Sequence, residues 1–373
     1  MTTAIDQFRL TGFTLPSDFP VTRKHVRPPE RRSEEYLKNY DTHTLFYDCV
    51  YQPTKRRYLF TAPRMFNLWP VFRDALRING HPARVRRKRF PKYEQAVLLA
   101  DEGELRLSLG GTDHLIETRL DRSDDFAGLN CIATMNKNNR VEWITDWARY
   151  YVANHRLQGV VIFDNGSTDY NIDDLRQALV SVEGLQRVAV VSAAFPYGSN
   201  DQGTGWEIRP KFLQPALLNL ARTEILSKAR AVLNVDIDEL VIARDGRSVF
   251  DIAAGHPNLP VKLPGHWAYP AEGTDGPVGH AAHVWRADPS KRSNKKWCAV
   301  PSGLMSRMGW YVHHIGGELF RFAKEPEGME VVHCRATSTG WKSTDVRFRL
   351  PGSMHRDLEL ESIMARDFKA TTS

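Results

Sequence analysis

The sequence predicts an α/β fold in which a mostly parallel sheet, flanked by helices, follows a smaller β-rich domain. From residue 129 onward, apolar strand-like runs alternate with amphipathic helical patterns, whereas residues before 125 contain only short strand-like runs separated by turn formers. Strands that alternate with helices are typical of parallel sheets covered on both faces. The change in texture near Asp125 predicts the boundary between the two domains.

The alternation after residue 129 can be followed element by element. A short apolar strand over residues 130–134 precedes a helix whose apolar positions, from Ile144 to Val152, recur with helical spacing. Further strands are predicted at residues 160–163, 188–191 and 231–235, with helices around 172–179 and 218–225 between them. Because such sheets bind ligands at the carboxyl ends of their strands, the polar residues that follow these strands are the site candidates.

The flanking regions carry no comparable pattern. Upstream, the strand-like runs cover residues 44–50, 58–62, 83–87, 96–99 and 105–109, after a loosely ordered lead-in of about forty residues. Downstream, loops rich in Gly, Pro, His and Trp extend from about residue 255 to 317. We predict an accessory β-rich domain over residues 1–125, the main α/β domain over 126–345 and a helical tail over 346–373.

Composition is that of an ordinary soluble protein. Of 373 residues, 42% are hydrophobic and 25% charged, which is enough apolar material for a sizeable core. No run approaches the roughly 20 apolar residues of a spanning helix, and the N-terminus lacks the features of a secretory signal. We therefore expect a cytoplasmic protein. The four cysteines are far apart, which favours reduced, structural thiols over disulfides or a zinc site.

The chain is basic, with a formal net charge of +7 and a pI near 9.2. Such a balance favours partners that carry phosphate or another anion. The densest basic run covers Arg84–Arg89, with Lys92 just beyond it. We interpret the run as the solvated edge of a strand, and peripheral contact with the inner face of a membrane is the alternative. We expect no specific nucleic-acid partner.

The strongest chemical signal is the acidic segment Asp236-Ile237-Asp238-Glu239. It directly follows the apolar strand at residues 231–235, so that Asp236 and Asp238 point to the same side at a strand end. Paired carboxylates in this position suit a hard divalent cation such as Mg²⁺ or Mn²⁺. Such a cation neutralises charge that develops on a leaving diphosphate.

Two more polar clusters follow strands. The first, from Asp164 to Asp169, places a carboxylate where it can accept hydrogen bonds from a base or ribose, while Ser167 and Asp169 are typical helix caps. The second runs from Thr134 to Asn138 and offers hydroxyl, amide and ammonium groups to a base, ribose or phosphate. A polar loop with Asn caps is an equally good interpretation of this second cluster.

Together these motifs resemble a glycosyltransferase family 2-type domain of the GT-A fold, closest to its family ninety-two-like branch. The resemblance rests on the ordered set listed here: Asn136-Lys137, Glu142-Trp143, Gly159, Asp164-Asn165-Gly166-Ser167-Thr168-Asp169 and Asp236-Ile237-Asp238-Glu239. It departs from the family at Lys137, where such enzymes often carry Glu. It covers residues 129–240 well, extends loosely to His333, and says nothing of residues 1–125.

The resemblance implies a metal-dependent hexosyltransferase that moves a sugar from a nucleotide-sugar donor to a glycan or lipid-linked glycan acceptor. It implies donor contacts from the residues listed here: Thr134, Asn136, Lys137, Asp164, Lys211, Gln214, Asp236 and Lys296. Asp236 and Asp238 would hold Mn²⁺ or Mg²⁺, with a late histidine, His314, as a third ligand. His333 is a weaker alternative to the pair His313-His314.

An inverting reaction also needs a general base beside the acceptor hydroxyl. Glu272 and Asp275 lie in the loop where such enzymes often place it, and Trp267 and Tyr269 nearby can stack on sugar faces.

Two other functions remain open. A nucleotidyltransferase also uses paired carboxylates and a metal, although residues 134–139 contain no glycine for a phosphate loop. A non-catalytic protein that binds polysaccharide or nucleic acid is the alternative from another class, and the basic run favours it.

Overall fold

The computed structural model describes residues 4–199, 209–339 and 348–368, which form two compact units. The large-sheet unit comprises Met1–Gln7, Asp125–Val190 and Leu226–Ser373. The small-sheet unit comprises Phe8–Asp124 and Val191–Ile225. Residues 191–225, which the sequence analysis placed in the main domain, therefore belong to the same compact unit as most of the N-terminal β-rich region.

Strands and helices occur in both units. In the described residues the strands are β1 Ala4–Arg9, β2 Phe13–Thr14, β3 Thr44–Phe46, β4 Asp48–Gln52, β5 Arg57–Ala62, β6 Leu76–Ile78, β7 His81–Pro82, β8 Val85–Arg89, β9 Glu94–Leu99, β10 Leu105–Leu109, β11 Thr112–Leu115, β12 Arg119–Leu120, β13 Asn130–Asn136, β14 Gly159–Asp164, β15 Arg187–Ser192, β16 Ala231–Asn234, β17 Glu239–Ala243, β18 Val261–Ala268, β19 Trp285–Ala287, β20 Arg292–Ala299, β21 Met329–Cys334 and β22 Met354–Arg356. The α-helices are α1 Glu34–Asn39, α2 Leu68–Ala75, α3 Val141–His155, α4 Ile172–Val180, α5 Leu213–Leu220, α6 Val249–Gly255 and α7 Leu358–Asp367.

A nine-stranded sheet in the order β1-β15-β14-β13-β16-β20-β18-β21-β17 forms the large-sheet unit. Strand β13 is parallel to both β14 and β16, as the β-α-β alternation predicted. Beyond β16 the sheet becomes mixed, because β20 is antiparallel to β16 and to β18, whereas β18 is parallel to β21. The predicted α/β class, with a sheet flanked by helices and additional small sheets, is confirmed.

Helices of this unit pack on the sheet through one continuous core. The apolar positions of α3 that recur with helical spacing, including Ile144, Trp147 and Tyr151, are buried against strand residues such as Ile132 and Val160. Alternate residues of the same strands, Cys131 and Val161 among them, are also buried. Burial on both faces explains why these strands are continuously apolar rather than alternating.

The small-sheet unit has a five-stranded sheet, β12-β4-β5-β9-β8, and a four-stranded sheet, β11-β10-β6-β7. Their inward residues and helix α2 share a core that includes Phe46, Phe60 and Phe72. The basic run is strand β8, the edge of the five-stranded sheet, as the edge-strand interpretation predicted. Near residue 218 the predicted helix is the short α5, followed by a π-helical turn over Ala221–Ile225.

The four cysteines are buried and form no disulfides, which confirms their structural interpretation. Among the helices of the described residues, none is long and apolar enough to cross a bilayer.

Candidate active site

The acidic segment lies at the carboxyl end of β16, in the turn that leads to β17. The Glu239 amide donates to the Asp236 carbonyl oxygen (3.1 Å), and the Asp236 amide donates to Glu239 Oε2 (2.8 Å). The two bonds close the turn on itself. The side chains of Asp236 and Asp238 are 22% and 11% exposed, whereas that of Glu239 is 1% exposed. Asp236 and Asp238 are therefore the carboxylates that a ligand can reach.

Lys296 provides the cation of this cluster. Its side chain is fully buried, and its Nζ lies 2.8 Å from Asp236 Oδ2 and 2.7 Å from Glu239 Oε2. The strand places it there because β20 pairs with β16, with Trp297 opposite Asn234. Lys295, the residue before Lys296 on the same strand, is exposed and lies over the ring of Phe320. The structure thus brings together three predicted residues, Asp236, Asp238 and Lys296.

His333 completes the cluster from β21. The antiparallel register of β17 and β21 sets His333 opposite Glu239, and the parallel register of β18 and β21 sets it beside Trp267. His333 Nε2 lies 3.1 Å from Asp238 Oδ2, and Nδ1 lies 3.5 Å from Glu239 Oε1. The Trp267 ring stacks on the imidazole with 3.9 Å between centroids, which fixes the plane of the histidine.

Burial and charge act in opposite directions on the ionisable groups here. Burial raises the pKa of Glu239 above the ordinary value for a glutamate, and the neighbouring Lys296 only partly offsets this effect. Burial alone would lower the pKa of Lys296, but the carboxylates of Asp236 and Glu239 raise it above its ordinary value. A protonated Lys296 therefore holds the two carboxylates together.

The residues present fit a divalent cation. One ligand atom each from Asp238, Glu239 and His333 lies within 4.8 Å of the others. His333 Nε2 and Asp238 Oδ2 are hydrogen-bonded at 3.1 Å, a separation that neighbouring ligands of an octahedral ion at about 2.1 Å would also have. The buried His333 Nδ1 has no hydrogen-bond partner among the described residues. Carboxylates suit both Mn²⁺ and Mg²⁺, and the imidazole favours Mn²⁺ of the two.

The histidine pair lies on the segment after β20. Trp297 Nε1 donates to the Tyr311 carbonyl (2.7 Å) and Asn234 Nδ2 to the Val312 carbonyl (2.8 Å), which anchors the segment to β20 and β16. Burial and the charge of Lys296 lower the pKa of His313 to about 4. His314, the predicted ligand, stacks on Tyr311 instead of joining the grouped ligand atoms.

The polar loops after β13 and β14 form a hydrogen-bonded network of their own. Asp164 is fully buried and accepts bonds from the Ser167 amide (2.8 Å), the Ser167 hydroxyl (2.6 Å) and Asn136 Nδ2 (2.9 Å). Asn138 exchanges bonds with Thr168, since its Oδ1 accepts from the Thr168 amide at 2.7 Å. The hydrogen bonds of Asn136 and Asp164 thus hold the two loops together at the strand ends.

The other predicted donor contacts differ in their surroundings. Thr134 is buried, and its Oγ1 has no hydrogen-bond partner in the described structure, while Lys137 is partly exposed at the loop. Lys211 and Gln214 belong to the small-sheet unit, where both lie beside Tyr197: the Lys211 ammonium is 5.5 Å from its ring centroid, and Gln214 Oε1 accepts from its hydroxyl. Their role toward a donor stays a prediction.

The predicted bases, Glu272 and Asp275, are both exposed on the turn that follows β18. Gly273 and Gly276 adopt positive φ there, which lets the chain turn sharply. The sequence pattern alone assigns no role to Glu239 and favours His314 over His333. The missing information is the register of β17, β18 and β21, because it alone sets Glu239, Trp267 and His333 side by side.

Comparison with solved structures gives partial similarities, of which two are described here. No family model and no curated protein matches the chain. The mannosyltransferase Ktr4p from S. cerevisiae is 12% identical with a TM-score of 0.26, over 39% of this chain and 42% of that one. An active-site mutant of LgtC is 14% identical with a TM-score of 0.27, over 61% of this chain and 86% of that one. This chain thus spans about two fifths of the length of the yeast protein.

Proposed function

We propose that this chain is a metal-dependent glycosyltransferase of the GT-A type. It would move a hexose from a nucleotide-sugar donor to a hydroxyl of a glycan or lipid-linked glycan. The observation that supports this most is the cluster at the end of β16. Asp236 and Asp238 are partly exposed there, and the buried side chains of Lys296, Glu239 and His333 lie next to them. Buried carboxylates aimed at a strand end need a cationic partner, and a donor diphosphate needs a cation as well.

Asp238 and His333 are the first candidates to hold Mn²⁺ or Mg²⁺, with Glu239 beside them and Asp236 at the solvent side. When bound, the cation supplies Lewis-acid stabilisation of the negative charge on the leaving diphosphate. The Lys296 ammonium holds the carboxylates of Asp236 and Glu239 in place, and the stacked Trp267 ring keeps the His333 ring in plane. His314 lies outside this group of ligand atoms, and its ring stacks on Tyr311.

The two loops after β13 and β14 would hold the nucleotide. They lie at the same sheet edge as the acidic segment, because β13 is parallel to both β14 and β16. The partly exposed Lys137 is the predicted donor contact that a ligand could reach there, whereas the Thr134 hydroxyl is buried within β13. An inverting reaction would take its general base from Glu272 or Asp275, which are free to approach an acceptor hydroxyl.

Asp238→Asn tests the proposal. We expect it to lower donor turnover by more than about 100-fold, since removing a group that stabilises transition-state charge typically costs about 3 kcal/mol or more. Stability should stay unchanged or rise slightly, because the substitution removes repulsion among the carboxylates. Glu318→Gln, which removes the same charge from an exposed site in the same unit, is the matched control and should have no effect.

The measurement is a titration of Mn²⁺ in the presence of UDP or GDP. Calorimetry measures the binding, and thermal melting measures the stability. Parent and Glu318→Gln should bind metal and nucleotide together, and hydrolysis of a panel of nucleotide-sugars should require the metal. If Asp238→Asn bound both like the parent, the metal site and most of the glycosyltransferase proposal would be wrong. Metal and nucleotide binding without turnover of any donor would favour a non-catalytic binding protein.

A further inference from the structure

Trp267 connects the acidic cluster to a second feature of the same sheet edge. Besides stacking on His333, this side chain lines a cavity of about 460 Å³. That volume lies within the range of small-molecule pockets. The cavity is bordered chiefly by aromatic and cationic side chains, namely Trp267, Tyr269, Lys291, Arg292, Arg335 and Arg349.

The charge of the cavity has one sign. None of the described residues that line it is acidic. Within residues 4–199, 209–339 and 348–368, no carboxylate forms an ion pair with Lys291, Arg292 or Arg349. Arg286 of the same unit is neutralised by contrast, because it binds both Glu330 and Asp357. The positive charges of Lys291, Arg292 and Arg349, grouped in one cavity, favour an anionic ligand.

Strands β18 and β20 carry two of these side chains, Trp267 and Arg292, and Tyr269, Lys291 and Arg335 directly flank strand ends. Parallel strands β18 and β21 end at this edge and the antiparallel β20 begins there, so that His266 lies opposite Arg292. The Trp267 amide donates to the Lys291 carbonyl (3.0 Å), and the Arg335 amide donates to the Ala268 carbonyl (3.0 Å). The Arg335 guanidinium lies 4.5 Å from the centre of the Trp267 ring. An aromatic surface and a group of cations are thus fixed side by side.

We infer that this cavity binds an acidic acceptor saccharide, one that carries a carboxylate or phosphate. Its ring would pack against the partly exposed Trp267, and its anionic group would pair with Arg292, Lys291 and Arg349. The assignment of this saccharide as the acceptor rests on the proposed function. The donor diphosphate already has a partner in the proposed cation at Asp238 and His333, so the cations beyond Trp267 are left for a second anion.

The test compares charged and neutral sugars on variants of the whole chain. Methyl glucuronide and glucose 6-phosphate are the anionic probes, methyl glucoside is the neutral one, and UDP with Mn²⁺ reports the donor site. The variant is Arg292→Gln/Arg349→Gln, and Arg307→Gln is the control, an exposed arginine of the same unit outside the cavity. Binding is followed by ligand-observed NMR and calorimetry.

We expect the anionic probes to bind the parent and Arg307→Gln equally, at least fivefold more tightly than the neutral glucoside. The double variant should lose at least fivefold in affinity for them and keep its affinity for UDP with Mn²⁺. Equal binding of charged and neutral sugars, unchanged binding by the double variant, or no binding to the parent would each overturn the inference. So would loss of UDP binding in the double variant, since the cavity would then belong to the donor. Binding of the anionic probes without any UDP–Mn²⁺ binding would support the anionic cavity and contradict the proposed function.

Discussion

Each unit buries carboxylates around one cation, and the two clusters differ in how far their carboxylates are exposed to solvent. In the small-sheet unit, Arg119 bridges Asp48 and Glu224, whose side chains are fully buried. Thr11 donates its amide and hydroxyl to the other oxygen of Asp48, and Thr61 donates to the other oxygen of Glu224. Every carboxylate oxygen of this cluster has a donor, so it leaves no position for a ligand.

The large-sheet cluster is left open by comparison. Its cation, Lys296, is at least as buried as Arg119, yet Asp236 and Asp238 remain partly exposed, and Nδ1 of His333 has no hydrogen-bond partner in the part of the chain that the structure describes. A closed ion cluster holds a fold together, whereas an open one at a strand end can accept a ligand. Buried charge alone therefore does not indicate a binding site; partial exposure of the carboxylates does.

The closed cluster should show the largest effect on stability. Arg119→Met leaves Asp48 and Glu224 buried without their cation, which typically costs 3–5 kcal/mol, so about 4 kcal/mol is expected. Arg9→Gln, which breaks an exposed pair with Glu117, should cost less than about 0.5 kcal/mol. Denaturant unfolding measures both variants, and neither Mn²⁺ nor UDP should restore Arg119→Met. Equal stability of the two variants would contradict the closed-cluster interpretation.

Lys296→Met provides the corresponding test of the open cluster. We expect a loss of about 3 kcal/mol, somewhat less than for Arg119→Met, because Asp236 is partly exposed to water. Here Mn²⁺ should recover part of the stability, since a cation that binds only the folded state stabilises it by mass action. Thermal melting with and without Mn²⁺ distinguishes the clusters. Failure of Mn²⁺ to raise the melting temperature of this variant would remove the contrast between them.

The contrast also shows what the sequence can and cannot predict. The position of Asp236 and Asp238 at a strand end was predictable, because an apolar strand precedes them, but strand alternation does not set their direction, since both lie in the turn between β16 and β17. Lys296 was predicted as a donor contact, but its pairing with Asp236 depends on which strand lies beside β16. Glu239, Trp267 and His333 meet through the registers of three strands far apart in the chain. Such long-range pairing leaves no local pattern that periodicity could detect.

A third buried group, His155 on α3, adds a dependence on pH to the large-sheet unit. Its Nε2 bonds to the Val241 carbonyl, its Nδ1 accepts from the Val249 amide, and burial lowers its pKa to about 4. The unfolded chain binds this proton near pH 6.5, so the contribution of His155 is complete above that pH and is lost as pH falls toward 4. The loss between pH 7 and 5 should be about 2 kcal/mol.

Comparison with His155→Gln isolates this contribution. The parent should be the more stable protein at pH 7, and the difference in free energy of unfolding should narrow by about 2 kcal/mol by pH 5. Denaturant melts at intervals of pH measure it. A difference that stayed constant over this range would mean that His155 does not titrate as the fold requires.

The smallest effects are expected on the basic strand β8, where neighbouring cations face opposite sides. Arg87 is turned inward and forms two bonds with the buried Glu94, whereas Arg86 and Lys88 are exposed. Arg87→Ser should cost about 1 kcal/mol, because Glu94 keeps a second partner in Arg64. Arg86→Ser/Lys88→Ser should stay within about 0.5 kcal/mol of the parent, as exposed substitutions usually do.

All three changes should leave metal-dependent donor hydrolysis within a few-fold, because β8 contributes no group to the cluster around Asp238. A large loss of hydrolysis in the double variant, with melting unchanged, would place this strand in the active site.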